Sequence, residues 1–122
     1  MTLIYLATEE KDGQCVTLAE IMQAGKQPEP VYASYPVGDR VSALQFAAAE
    51  VLDSGRIWKD DAVTIYAGID ITPAGPAGSD LARSALTQAM RKYAIRPHIV
   101  VGGLLLPGVE KKLGEYLGGN EA

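Results

Sequence analysis

Cysteine, histidine, tryptophan and phenylalanine each occur once in this chain, as Cys15, His98, Trp58 and Phe46. A lone cysteine closes no intramolecular disulfide, which agrees with a reducing compartment and makes the cytoplasm the expected location. One cysteine and one histidine are also too few ligands for a zinc cluster. His98, beside Pro97, is therefore read as a strand-edge residue, and Cys15 as a small buried filler rather than a nucleophile. Long hydrophobic runs are missing as well. The longest, Ile99 to Leu106, is interrupted by Gly102 and Gly103 and falls far short of the roughly 18 residues that cross a bilayer, so no membrane partner is expected. No basic leader precedes Thr2 to Leu6, and secretion is not expected.

Clustered positive charge is scarce too. The net charge is −4 and the pI about 4.9, and no window gathers enough Lys and Arg to track a phosphate backbone, so autonomous nucleic-acid binding is not expected. Arg91, Lys92 and Arg96 fall near a helix end, where they complement the carbonyl-end dipole. What is present is an ordinary globular composition: 48% hydrophobic and 21% charged residues over 122 positions. That length suits one domain spanning 1–122 with one core.

Thr2 to Thr8 alternate bulky and small side chains and lead to Asp12-Gly13, a strong hairpin signal. The partner strand would be Gln14 to Gln23. Thr17-Leu18-Ala19-Glu20, however, also reads as a capping box opening a short helix that stops at Gly25. Val31 to Tyr35 is a third extended segment, with its two tyrosines on opposite faces. From Asp39, Val41, Leu44, Ala48, Val51 and Leu52 recur at helical spacing up to Gly55. Ala62 to Tyr66 is a β-branched central strand. A loop over residues 68–79 contains Pro-Ala-Gly twice, and Ser79 caps a helix that turns Ala82, Leu86, Ala89, Met90 and Tyr93 inward. His98 to Val101 is expected as a last buried strand. Pro107 opens a closing helix with Val109, Leu113, Tyr116 and Leu117 inward, and the tail after Gly119 is expected to fray.

The fold class is thus α/β, a mixed sheet of about five strands, the first three antiparallel and the last two parallel, with three helices. If residues 17–24 were helical, the alternative is an open alternating sheet of four strands. The order of elements, with its Asp-Gly hairpin and the alanine-rich helix after the third strand, resembles the ribonuclease H-like fold. The stretch Val63 through Ala94 is also similar to certain small-subunit ribosomal proteins, which are basic where this chain is acidic. The nuclease resemblance implies two metal ions held by carboxylates from the first strand, the first long helix and the next strand. Here those places read Ala7, Ser42 and Gly68. The resemblance therefore implies a version without the metal site, unless Asp70 rebuilds one with Glu50 or Asp80.

Three functions are compatible with these residues. An acidic chain without recognisable chemistry reads first as a non-enzymatic protein-interaction module, an adapter, subunit or inhibitor binding a protein partner or itself, with no cofactor. Its anchors would be Trp58 with Phe46, Tyr32 or Tyr35, because aromatic rings give large contact area for little entropy. The second function is phosphate or nucleotide binding by the loop 68–79, where amides of Gly75, Gly78 and Ser79 would meet an anion at a helix start, although neither the Walker A nor the dinucleotide spacing is present. The third is a metal-dependent nuclease with displaced carboxylates.

Overall fold

The computed structural model describes residues 1–58 and 60–119; Lys59, in the turn after Trp58, and the expected frayed tail over residues 120–122 lie outside them. Eight elements follow one another among the described residues: β1 (Thr2–Lys11), β2 (Gln14–Gln23), β3 (Glu29–Tyr35), α1 (Arg40–Asp53), β4 (Val63–Ala67), α2 (Asp80–Lys92), β5 (His98–Val101) and α3 (Leu106–Gly119). The five strands form one sheet in the order β3-β2-β1-β4-β5. The pairs β1–β2 and β2–β3 are antiparallel, and β1–β4 and β4–β5 are parallel. None of the helices is long and apolar enough to cross a membrane, among the described residues.

Local chemistry explains most of these boundaries. Asp12 and Gly13 both adopt positive φ, 54° and 79°, the type I′ geometry whose twist matches a two-residue hairpin. Asp39 caps α1 by accepting the Val41 amide at 3.0 Å, and Ser79 caps α2 by accepting that of Ala82 at 3.1 Å, each supplying a partner for an amide that the helix leaves open.

Residues 17–24 are strand rather than helix. The capping-box signal is local, and the sheet outbids it: Thr17 donates to the Ala33 carbonyl of β3 at 3.4 Å, while Glu20 receives Lys112 of α3 at 3.1 Å. The four-stranded alternative is excluded with it.

Each face of the sheet buries its own cluster. Ile4, Leu6, Ala19, Ile21, Ile65 and Ala67 meet α1 and α2, and Tyr5, Ala7 and Leu18 meet Val109, Leu113 and Leu117 of α3. At about 25 cal/mol per Å², closing both faces is the main favourable term in folding. Cys15 is fully buried, and its thiol donates to the Val37 carbonyl at 3.3 Å. Three expectations of burial are corrected. The strand β5 is an edge strand with Val101 exposed beside the strand-edge His98, because among the described residues nothing pairs beyond it. Tyr93 is the C-cap of α2 and Tyr116 lies on the rim of α3, and both keep about two-fifths of their surface in solvent.

Candidate functional site

Parallel strands in a mixed sheet leave their carboxyl ends as the natural place for a site, since the loops that follow them are free to vary. In this chain β1 and β4 run side by side to the pair Leu6–Ala67, and one residue further come Ala7 and Gly68. Ala7 is buried against α3 and Gly68 is exposed. The α1 counterpart, Ser42, is buried and fully engaged. Its hydroxyl donates to Asp39 at 2.6 Å and accepts the Ser79 amide at 2.8 Å, tying the start of α1 to the start of α2. None of the three supplies a carboxylate.

The displaced carboxylates are not brought together. Asp70 stands just past β4, accepting the Thr72 amide at 2.9 Å and the Thr72 hydroxyl at 2.6 Å. Those hydrogen bonds hold its carboxyl below the usual range. Glu50 lies eight residues beyond Ser42, roughly 12 Å along the helix, in a hollow with Tyr35 and Arg56. Asp80 points to solvent and pairs with Arg83. Among the described residues no three His, Cys, Asp or Glu side chains gather to hold a metal ion. Two divalent cations need several converging oxygens, so this donor set does not fit them.

The loop 68–79 is built around protein contacts rather than an anion. The Gly75 amide donates to Thr72 at 3.1 Å, that of Ser79 to Ser42, and that of Ala82 to Ser79. Gly78 adopts φ +88°, and a Cβ there would sit 2.1 Å from Gln45 Oε1. Of the three amides expected to meet a phosphate, those of Gly75 and Ser79 already donate within the protein, and Asp80 stands at the helix start. Gln45, fully buried, spans α1 to the loop: Nε2 donates to Ile71 at 3.2 Å and to Ala77 at 3.4 Å, while Oε1 finds no partner. The sequence carried a signal for it, since Gln45 falls four residues after Val41 on the apolar stripe of α1.

Trp58, expected to share a patch with Phe46, Tyr32 or Tyr35, stands apart from all three. Tyr35 stacks on Phe46 at 5.7 Å between β3 and α1. Tyr32 stacks on Tyr116 at 4.1 Å on the opposite face. Trp58, 43% exposed, stands at the amino end of β4, in a cleft of about 280 Å³ with Ile57, Tyr93, Ile95 and Arg96. His98 and Cys15 have β1 and β4 between their strands, and burial pushes the Cys15 thiol above its ordinary value, so nothing activates it.

No protein-family model matches the sequence, and no curated protein sequence matches it. Among solved structures, the chain is similar to ribonuclease H1 from the halophilic archaeon Halobacterium salinarum, with a TM-score of 0.71 over 99% of this chain and 98% of that one, at 9% identity. At that identity the likeness shows the fold alone, and the fold is ribonuclease H-like. The reading as a non-enzymatic protein-interaction module is corrected on the same finding. Its whole-length neighbour is a nuclease, and the aromatic anchors it relied on are dispersed.

Proposed function

We propose that this protein acts on nucleic acid, as a ribonuclease H-like domain that takes an RNA–DNA hybrid across the carboxyl ends of β1 and β4. The single observation behind this reading is the correspondence, over both whole chains, with a protein named as a ribonuclease H1. The open mouth formed by Gly68, Ile69, Leu104 and Leu105, all exposed, gives a duplex room to approach. A net charge of −4 is a sum over the whole surface, whereas phosphates are met by a local patch, so the acidic composition does not decide the matter. A cytoplasmic location fits, because the buried thiol of Cys15 needs no oxidising compartment.

Asp70 is the carboxylate just past β4, and no hydrolytic step is assigned to metal ions that the donors here do not fit. The test is incubation of labelled RNA–DNA hybrid with the protein in Mg²⁺ and in Mn²⁺, read for both complex formation and cleavage. A retarded hybrid supports the reading, and cleavage lost in Asp70→Asn places the chemistry just past β4. A hybrid that is neither retarded nor cut overturns it.

A further inference from the structure

The cleft around Trp58 lies at the opposite end of the sheet from Asp70, roughly 15 Å away along β4. Two aromatic rings open into it: Trp58, and Tyr93, which is 39% exposed with its hydroxyl fixed on Asp53 at 2.5 Å. The Lys26 ammonium sits 5.1 Å from the Trp58 ring centroid, at the margin of the cleft that Trp58 lines. The turn Ala94-Ile95-Arg96 is a wall shared with a second hollow, about 430 Å³, lined by Thr87, Met90 and Arg91. The two hollows make one path past Arg96.

Beside this path stand cations that are not paired, although the chain is acidic. The amino terminus pairs with Asp61 at 2.6 Å, Arg56 with Glu29, and Lys92 with Asp53 at 3.4 Å. Lys26, Arg91 and Arg96 make no ion pair among the described residues; Asp60 and Asp61 line the cleft, and Asp61 is already held by the amino terminus. Exposed rings between unpaired cations suit a chain whose bases present free faces and whose backbone is anionic. A duplex hides its base faces, whereas a single strand presents them.

We propose that the Trp58–Tyr93 cleft is a binding site for single-stranded nucleic acid, stacking bases on the two rings and holding phosphates at Lys26, Arg91 and Arg96. This rests on the reading that the protein acts on nucleic acid, and gives that reading a second contact at the far end of the sheet. A labelled oligothymidylate of about ten nucleotides, titrated by fluorescence anisotropy, tests it beside the RNA–DNA hybrid. Saturable binding is expected, with Trp58 emission quenched at the same midpoint. Affinity should fall about tenfold or more in Trp58→Ala, and in Arg96→Glu with a shallower salt dependence. If Trp58→Ala melts early, Arg96→Glu and the quench in the unaltered protein decide. Hybrid bound without the oligonucleotide, or oligonucleotide bound with neither variant weakened and no quench, overturns the cleft alone. Failure of both ligands to bind overturns the cleft together with the reading beneath it.

Discussion

A methyl group added at Gly78 would have to displace Gln45, whose amide, with the Ser42 hydroxyl, links the buried face of α1 to the loop 68–79. Both the space and the positive φ argue against it, so Gly78→Ala is expected to cost about 1–3 kcal/mol of stability in a denaturant titration. An unchanged midpoint would mean that the loop and Gln45 yield freely. Asp61 offers a test with the sign of a proton. The amino-terminal ammonium and the Thr2 hydroxyl hold its carboxyl below the ordinary aspartate value. A lowered folded value contributes stability that is present above the unfolded value, about 3.9, and is lost as pH falls through the folded one. Asp61→Asn is therefore expected to lower the melting temperature at neutral pH, and the gap to the unaltered protein should narrow below about pH 4. Melting curves across that range check it, and a gap that stays constant contradicts the assignment.

Among elements, those whose ends carry their own chemistry were legible in the sequence. The Asp12-Gly13 hairpin and the Asp39 and Ser79 caps all form as their residue types require. Gly13→Ala, placing a Cβ at φ 79°, should cost about 1 kcal/mol, measured as a shift in urea midpoint with unchanged slope. Where local and long-range signals competed, reading by residue type stopped short. Thr17 and Glu20 serve a capping box or a strand equally well, and only β3 and α3 decide between them. The apolar run of β5 resembles a buried strand, yet burial depends on a sixth strand that is not among the described residues. Tyr93 and Tyr116 fall on inward stripes by spacing, but each sits where its helix reaches the margin of the sheet.

The order of elements pointed to the whole fold because right-handed parallel connections leave few ways to arrange five strands and three helices. The candidate sites were far less legible. Ala7, Ser42 and Gly68 read as missing carboxylates, but such an absence does not by itself point to a protein-binding role, which the whole-length likeness to a ribonuclease H1 does not support. The cleft was invisible for a different reason. Lys26, Trp58, and the pair Tyr93 and Arg96 come from three connections far apart in the chain, and only the closed sheet brings their ends together.

The central claim is that this acidic chain acts on nucleic acid, and its first requirement is contact with phosphate. Anisotropy of a labelled RNA–DNA hybrid, titrated with the unaltered protein at a series of salt concentrations, measures that contact directly. The account predicts saturable binding whose affinity falls linearly with salt on logarithmic axes, as counterions are released from the phosphates that the protein neutralises. Anisotropy that stays flat up to the highest protein concentration, even at the lowest salt, would contradict it.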